Sequence, residues 1–600
     1  MEASNRVLSH FITAFAMALL CAARTAAFEV RIEASHVGST SADSVGTTIP
    51  VPDVSGAVGP EHFVELLNGR YAVYDEETGV PVESSSQIEF WSRAGIAGVI
   101  DQAADPRILY DATTARWYAA ALRLAPDATQ DDLLLFAVSR GSDPTQGWDA
   151  FQLDADPSTL NWLDFSMMGF DADGVYLAVS RMAPGTGAFR GTGVAALPKA
   201  DLLAAVPTLA GATVLTTTVG QTGFDPQPAV DLDGSGLPLP LVSGNSAFAG
   251  QLQASRLDGP ISTPSLTGGL LIPVDPAPGP PDAEQPGEKL PLETGGRNNA
   301  SLFSGSVVLR NGSLWAAQGI EVDARAAIRW LEVDPHTNLV LQSGVIADGV
   351  LDLYTASIAV NEFDQVVIGM TGSSETVFPS AYAVVGERVD DATVFGDLLL
   401  LRAGVSDYER VDARGRNAWG DYSSTVTDPL DPLAFWTFQE FVIDTDVWGV
   451  SITKLVLQAP ECGDGVDDDG DGLVDFPSDP GCTRAGDVSE RTGRACDDAV
   501  DNDGDGFADF PSDPGCKSVR GTREDPACQN GVDDDQQPGV DFDGGASLNG
   551  GVPIAAPDPQ CLDTPWRTTE SKSCGLGAEI AALLLLVKRL RRRDASRSAG

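Results

Sequence analysis

Two acidic stretches near the C-terminus carry the residues best suited to chemistry. The first, CGDGVDDDGDGLVDFPSDPGC (462–482), places seven aspartates and no Lys or Arg between two cysteines. A near repeat, CDDAVDNDGDGFADFPSDPGC (496–516), begins thirty-four residues later. Carboxylates packed so densely repel one another unless a cation lies among them. The pattern therefore predicts a metal-binding loop that occurs twice.

Both repeats share the spacing D-x-D-x-D-G-x-x-D. Ca²⁺ takes about six to eight oxygen ligands, whereas Mg²⁺ demands a tighter octahedral geometry. Alternate carboxylates can converge on one ion, and the glycine permits a sharp turn. The position-7 carbonyl is expected to point inward, and the position-9 aspartate to bind directly or through water. The predicted Ca²⁺ ligands are Asp467, Asp469, Asp471, the Leu473 carbonyl and Asp475, and then Asp501, Asp503, Asp505, the Phe507 carbonyl and Asp509.

These loops differ from an EF-hand, which has a bidentate glutamate at position 12. Ser478 and Ser512 occupy that position, and Asp479 and Asp513 follow directly. The two aspartates either replace the glutamate or serve a neighbouring ion. The alternative for the whole segment is a solvated acidic linker, which the cysteine frame and the exact register disfavour.

A third, longer copy spans 528–561. It keeps Asp533, Asp535 and Asp541 in register, but Gln537 and Pro538 replace the central aspartate and the glycine. Whether this copy binds calcium is left open.

Six of the eight cysteines frame these copies, and residues 28–461 contain none. In an oxidising compartment they would form disulfides, and pairing within each copy is the most economical of about 15 possibilities. The segment has few large apolar residues and cannot build a core of its own. Metal binding and disulfides are therefore expected to order it.

Residues 461–563 resemble the calcium-binding thrombospondin type 3 repeats. They resemble even more the short Asp/Cys repeats at the C-termini of bacterial surface proteins. The resemblance covers repeats at 461–482 and 496–516 and a degenerate copy at 528–561. It implies a stalk with structural calcium outside the cell.

The region before the stalk, 28–458, reads as one all-β domain. Short alternating runs such as RYAVYD, LLLFAVS and QVVIGMTG are separated by clusters of turn residues. The region is too long for a single sandwich, whereas a closed ring of four-stranded blades suits its length. The fold predicted is a β-propeller-like domain of six to eight blades, followed by the disulfide- and calcium-stabilised stalk and a C-terminal hydrophobic helix.

Three stretches of this domain, 52–79, 105–120 and 419–441, resemble a family of secreted bacterial propeller-like proteins. The resemblance implies the fold but supplies no chemistry.

Both chain ends predict export. Residues 1–27 form a signal peptide, with Arg6 and His10 before an apolar run and small residues at the cleavage point. Residues 574–593 run from Cys574 through an apolar segment to five basic residues. They resemble cysteine-containing C-terminal sorting signals, which implies membrane retention and processing near Cys574 by a sortase-like or rhomboid-type protease. The alternative is an amphipathic surface helix.

The net charge of −48 excludes nucleic acid as a plausible partner, because phosphates would be repelled. The predicted location is the cell surface or outer membrane, with release as the alternative. The predicted function is binding or adhesion to a surface glycan or protein. The alternatives are a sialidase-like glycoside hydrolase and a purely structural envelope component.

Catalysis is the less favoured function. Residues 28–458 contain three histidines and no cysteine, and neither G-x-S-x-G nor H-E-x-x-H occurs. A sialidase-like site would need an arginine cluster, an acid and a tyrosine, and six residues have suitable types: Arg107, Arg116, Asp105, Tyr110, Asp421 and Tyr422. Turn and core roles explain these stretches better, so no catalytic residue and no cofactor other than Ca²⁺ is predicted.

Overall fold

The computed structural model describes residues 30–570 except 45, 97–101, 128, 236–237, 245–249, 295–302, 390–391 and 413. The chain divides into two compact units, Met1–Ala459 and Pro460–Gly600. The predicted signal peptide (1–27) and sorting segment (574–593) lie outside the described residues. Within the described residues, no helix combines the length and apolar character needed to cross a membrane.

The first unit is all-β, as predicted. Its described part contains three short helices, α1 (Gln87–Arg93), α2 (Lys199–Leu202) and α3 (Val219–Thr222). Its thirty described strands are β1 (Val30–Thr40), β2 (Ser55–Val58), β3 (His62–Leu67), β4 (Arg70–Asp75), β5 (Pro81–Ser85), β6 (Ala103–Asp111), β7 (Arg116–Arg123), β8 (Leu133–Ser139), β9 (Trp148–Leu153), β10 (Trp162–Phe170), β11 (Gly174–Met182), β12 (Phe189–Pro198), β13 (Thr213–Thr216), β14 (Phe224–Pro228), β15 (Val230–Asp231), β16 (Leu239–Gly244), β17 (Gln251–Asp258), β18 (Ser265–Pro273), β19 (Val308–Arg310), β20 (Ser313–Val322), β21 (Arg325–Val333), β22 (Val340–Ile346), β23 (Asp352–Val360), β24 (Val366–Ser374), β25 (Val377–Val389), β26 (Ala392–Phe395), β27 (Leu399–Arg402), β28 (Ser424–Thr427), β29 (Ala434–Asp444) and β30 (Val447–Leu457).

Five separate antiparallel sheets in the described part have the size of propeller blades. They consist of β2–β5, of β6–β9, of β14 with β16–β18, of β23–β27, and of β28–β30 with β1. A sixth sheet has nine strands in the order β13-β12-β11-β10-β15-β19-β20-β21-β22.

The prediction of six to eight blades is therefore wrong, because only five separate blade-sized sheets occur in the described part. Two further antiparallel units, β10–β13 and β19–β22, are joined through β15. This two-residue strand pairs in parallel with β10 at Phe170–Val230 and with β19 at Val230–Val308. So short a link leaves no hydrophobic period in the sequence.

The inner strands of these sheets contact one another in a ring. The contacts run from β2 to β6, β10, β15, β19, β23 and β28, and β28 returns to β2. The first strand also pairs with the last, beginning at Val30 opposite Leu457. Hydrogen bonds between the two ends of the unit thus close the ring, which makes the fold β-propeller-like.

Aromatic side chains fill the space between neighbouring sheets. Trp117 on β7 is fully buried among residues of the adjacent sheet, including Val64 and Tyr71. Burial of one such large side chain stabilises a fold by about 1.5–3 kcal/mol. The ring of inner strands surrounds a central channel. The packed sheets hold the residues that line this channel in fixed positions.

The second unit has no strand or α-helix within residues 460–570, only turns and two short 3-10 segments, Glu461–Gly463 and Ser547–Asn549. Apart from cysteines, its buried apolar residues in this range are Val519 and Val540. Three disulfides join Cys462 to Cys482, Cys496 to Cys516, and Cys528 to Cys561. The predicted pairing within each copy is confirmed.

Candidate functional site

Each of the first two acidic loops brings three carboxylates together. Oxygens of Asp467, Asp469 and Asp471 lie within 4.8 Å of one another. The second loop forms the same cluster from the equivalent residues, Asp501, Asp503 and Asp505. Three converging carboxylates are an arrangement that a hard divalent cation binds.

Glycines curl each loop around its first aspartate. Gly470 and Gly472 have φ angles of 80° and 91°, a left-handed conformation that residues with a Cβ rarely adopt. Their amides donate to the two carboxylate oxygens of Asp467 at 2.8 and 3.1 Å. The second loop repeats this arrangement around Asp501. The sequence motif thus sets the local shape directly.

The position-9 aspartates are not members of these clusters. Asp475 and Asp509 instead accept hydrogen bonds from main-chain amides ten residues earlier, at 2.9 and 2.7 Å. These bonds fasten the end of each loop to its beginning. Calcium binding by Asp475 and Asp509 stays a prediction, as does binding by the Leu473 and Phe507 carbonyls.

Three glutamates that the sequence analysis missed hold the loops in place. They lie eight or nine residues after the second cysteine of each copy: Glu490, Glu524 and Glu570. Glu490 accepts hydrogen bonds from the amides of Asp468 and Asp475 at 2.6 and 3.0 Å. The other two glutamates make equivalent pairs of bonds. Their nearly constant distance from the second cysteine is the sequence signal that could have found them.

The third copy also contains a carboxylate cluster. Oxygens of Asp533, Asp535 and Glu570 lie within 4.8 Å of one another. Gln536 stands where the first two loops have a glycine, and its φ of 58° keeps the turn left-handed. The cluster therefore survives although two residues of the motif are replaced.

The interior of this second unit is made of carboxylates. Residues 460–570 contain 27 Asp and Glu against 7 Lys and Arg. Ten of these acids are buried, whereas none of the Lys or Arg side chains within 460–570 is buried. Burial, with repulsion from neighbouring acids, raises the pKa of Asp469 and of Asp503 to about 7. The ionised forms are disfavoured unless a cation shares the site.

The propeller-like unit has an acidic site of its own at one mouth of the channel. Five aspartates near the beginnings of inner strands interact electrostatically there: Asp53, Asp105, Asp164, Asp225 and Asp421. Asp53, Asp105 and Asp225 have φ angles of 46°, 50° and 50°. These left-handed residues interrupt the regular strand alternation, as at a bulge, which can redirect side chains.

One arginine is buried within this ring of acids. The Arg107 guanidinium carbon lies 3.3 Å from the centre of the Tyr422 ring. Its Nε donates to the Ser166 carbonyl at 3.0 Å, and an Nη contacts the Met167 sulfur at 2.8 Å. Arg107 therefore acts as an internal counter-charge, and all three of its guanidinium nitrogens already have protein partners.

Arg107 alone does not neutralise five carboxylates. Burial, together with the charge of Asp105, raises the pKa of Asp53 to about 7. Burial also raises the pKa of Asp225 to about 6. The pKa of Asp164 and that of Asp421 are raised by burial and then by nearby aspartates, and are lowered only partly by Arg414 and Arg416. The mouth therefore holds protons or attracts cations.

Four of the six residues considered for a sialidase-like site lie at this mouth: Asp105, Arg107, Asp421 and Tyr422. Arg116 does not join them, and Tyr110 instead lines the same cavity as Arg107. Arg116 donates to the Ala115 carbonyl at 3.0 Å in the turn between β6 and β7. The Tyr110 ring lies 4.8 Å from that of Trp117.

Sequence reasoning missed Asp53, Asp164 and Asp225. The sequence contains a weak signal for these residues. Each aspartate at the mouth is followed, two positions later, by Ser, Arg or Gln. Convergence of residues so far apart in sequence is nevertheless a property of the closed ring.

Inward of the acids, the channel contains a cavity of about 110 Å³. Its lining includes Leu109, Met168, Phe170 and Val308. An acidic mouth beside an apolar chamber is suited to a small ligand with a positive charge and an apolar body.

No protein-family model and no curated protein matches this sequence. Several solved structures with low identity are similar in fold. A hypothetical selenium-binding protein from Sulfolobus tokodaii is 11% identical over 58% of this chain and 80% of its own, with a TM-score of 0.36. The hemagglutinin-neuraminidase of parainfluenza virus 5 is 8% identical over 60% and 91%, with a TM-score of 0.33. Trypanosoma rangeli sialidase is 8% identical over 67% and 60%, with a TM-score of 0.32. Such distant likenesses assign no ligand or reaction to this chain.

Proposed function

We propose that this chain is an exported surface protein in which a propeller-like binding unit is followed by a calcium-ordered stalk. The observation that carries the proposal is the set of disulfide-closed loops with converging carboxylates in the second unit. Disulfides form and persist in oxidising compartments, which supports export.

Calcium fits these loops better than other metals do. The converging ligands are carboxylate oxygens, and the six cysteines of the described unit are all in disulfides. Zinc and copper favour nitrogen or thiolate ligands, whereas Ca²⁺ takes oxygen ligands in flexible geometries. A buried interior with many carboxylates and few apolar side chains also needs ion binding to offset the repulsion between those carboxylates.

Isothermal titration of the metal-free full chain with CaCl₂ tests the stalk. Binding is expected at about 10⁻⁴–10⁻³ M, the range of extracellular modules. The double variant Asp467→Asn, Asp501→Asn should bind fewer ions. Asp525→Asn is the matched control, because Asp525 is exposed and outside the clusters. Absence of calcium binding by the unaltered chain would refute the proposal.

The propeller-like unit is proposed to bind a glycan or a protein at a surface. The acidic mouth and its cavity support binding of a positively charged group of such a ligand in the channel, because carboxylates converge beside an apolar chamber. A glycan array and a screen for protein ligands, both with the full chain, test this role. Binding that survives Asp164→Asn together with Asp421→Asn would place the ligand elsewhere.

A glycoside hydrolase in the channel is the second candidate function. It is favoured by the convergence of Asp105, Arg107 and Tyr422. We rank it lower because Arg107 is held by main chain and sulfur. A panel of fluorogenic glycosides, sialosides included, tests it. Turnover that Tyr422→Phe abolishes would make this candidate the better one.

Retention at the membrane through residues 574–593, with processing near Cys574, is part of the same proposal. The partner would be a sortase-like or rhomboid-type protease. Cys574→Ala, expressed in the native host, is expected to change the mass and the location of the mature chain. An unchanged mature chain would remove this step.

A further inference from the structure

A second carboxylate cluster lies beside the first loop. Oxygens of Asp469, Asp479 and Glu490 lie within 4.8 Å of one another. Asp479 and Glu490 are almost completely buried, at 1% and 0% exposure. Asp469 belongs to both this cluster and the loop cluster. A carboxylate shared in this way can bridge two ions.

Two oxygens in this second cluster have no protein partner. Asp469 accepts the Asp471 amide through Oδ1 at 2.9 Å, and Asp479 accepts the Gly481 amide through Oδ1 at 2.5 Å. The Oδ2 atom of each is buried and makes no hydrogen bond. An unpaired buried carboxylate oxygen is strongly unfavourable. These atoms therefore indicate a cation-binding site rather than a solvated surface.

The second copy has a related arrangement around Asp513 and Glu524. Asp503 and Asp513 each have a buried Oδ2 without a partner. Asp513 is 1% exposed and lies within 4.8 Å of Glu524. The repetition shows that the arrangement belongs to the fold of each copy.

The residue after the first cysteine of the next copy adds an independent, uncharged signal. Gln529 follows Cys528 and is 0% exposed. Its Nε2 donates to Asp505 at 2.9 Å and to Asp513 at 3.2 Å, while its Oε1 has no partner. With the amide nitrogen directed at acids, the carbonyl oxygen remains free for a cation.

The equivalent residue one copy earlier is Asp497, which follows Cys496 and is 2% exposed. Its Oδ2 accepts a hydrogen bond from the amide of Thr492, two residues after Glu490, at 2.5 Å. At both junctions, a polar residue of the following copy thus approaches the buried acids of the preceding one.

We propose that a calcium ion, additional to the loop ions, occupies each junction between consecutive copies. The first junction site comprises Asp469, Asp479, Glu490 and Asp497, and the second comprises Asp503, Asp513, Glu524 and Gln529. The inference deepens the proposed calcium function and rests on it. Each ion joins ligands from two copies and cross-links them, so calcium sets how firmly the copies hold together.

Native mass spectrometry of the full chain in ammonium acetate, titrated with calcium, tests the junction sites. Asp479→Asn with Asp513→Asn is expected to lose two ions, because those residues belong to the junctions alone. Asp467→Asn with Asp501→Asn should instead lose the loop ions. If the junction variant keeps the full ion count and affinity, the junction sites are refuted while calcium binding by the loops stands. If the unaltered chain binds no calcium, the proposed function itself fails.

Gln529→Glu guards against misfolding as an explanation. It gives the second junction an acid, as Asp497 does at the first, and calcium should bind there about tenfold more tightly. A damaged fold cannot produce this gain. Unchanged or weaker affinity in Gln529→Glu, with ion loss in the other junction variant, would remove Gln529 from the site and overturn the bridging role.

Discussion

Asp225 is an acid at the channel mouth whose protonation depends on its burial. Its carboxylate accepts a hydrogen bond from the Ser180 hydroxyl at 2.5 Å. No Lys or Arg of the described chain forms an ion pair with it. Burial raises its pKa to about 6 from an ordinary value near 3.8. The native state therefore holds this proton over a pH range in which the unfolded chain has released it.

The raised pKa makes the free energy of unfolding depend on pH. As pH rises from about 4 to 6, the unfolded chain binds fewer protons at Asp225 than the native chain, so stability falls. The full penalty is present above pH 6. At about 1.4 kcal/mol per pKa unit, it amounts to about 2–3 kcal/mol. Asp225→Asn should remove it, so the variant gains stability at pH 8 and little at pH 4.

Denaturant unfolding at pH 4 and pH 8, followed by tryptophan fluorescence in constant calcium, measures this difference. Nine of the ten tryptophans lie in the propeller-like unit. Asp444→Asn, at an exposed strand end, is the matched control. Parallel pH profiles for Asp225→Asn and the unaltered chain would contradict the prediction.

At the level of elements, the inner strands pack so closely that some positions admit no side chain. A Cβ at Gly56 on β2 would overlap the ring of Phe438 on β29. Gly56→Ala should therefore force strand or ring displacement and destabilise the unit by about 1–3 kcal/mol. Thermal unfolding with Gly141→Ala as control tests this, since a Cβ at Gly141 meets nothing within 4 Å. Equal melting temperatures of Gly56→Ala and Gly141→Ala would show that β2 and β29 can move apart to accommodate the added Cβ.

Each acidic loop is an element closed by a disulfide. Cys496 and Cys516 enclose a loop with a sequence separation of 20, and closing a loop of this size restricts the disordered chain by about 3 kcal/mol. Without this disulfide, the metal-free loop has more conformational freedom, and calcium binding must offset the additional loss of entropy. Cys496→Ala with Cys516→Ala is expected to weaken calcium binding at the second loop about 10- to 100-fold.

Calcium titration of that double variant provides the measurement. The first loop is the internal control, because its Cys462–Cys482 disulfide is intact in this variant and its calcium affinity should be unchanged. Unchanged affinity at the second loop would show that its shape comes from the aspartate–amide hydrogen bonds alone.

For the whole molecule, the sequence predicted those features that depend on residues close together in the chain. Alternating runs predicted the all-β unit, and cysteine-framed repeats predicted the disulfides and the first carboxylate clusters. The number of separate sheets was not predictable, because β15 joins two units through only two residues. The acidic mouth was also missed, since Asp53 and Asp225 meet Asp105 only after the ring closes. Glu490 holds the first loop in place by accepting hydrogen bonds from main-chain amides. Such bonds leave no hydrophobic pattern in the sequence from which they could be predicted.

The last prediction concerns how calcium stabilises the second unit. A ligand that binds only the folded state stabilises it by about 2.7 kcal/mol per site at a concentration of 100 Kd. For sites near 10⁻⁴ M, about 10 mM calcium supplies that excess. Amide hydrogen exchange of the full chain should therefore slow across residues 460–570 in calcium relative to EDTA. Peptides from β29 and β30 are the internal control and should exchange equally in both. MgCl₂ at the same ionic strength separates ion recognition from screening, because a general charge effect would protect equally in both salts. Identical exchange of residues 460–570 in calcium and EDTA would mean that the disulfides and hydrogen bonds order this unit without an ion.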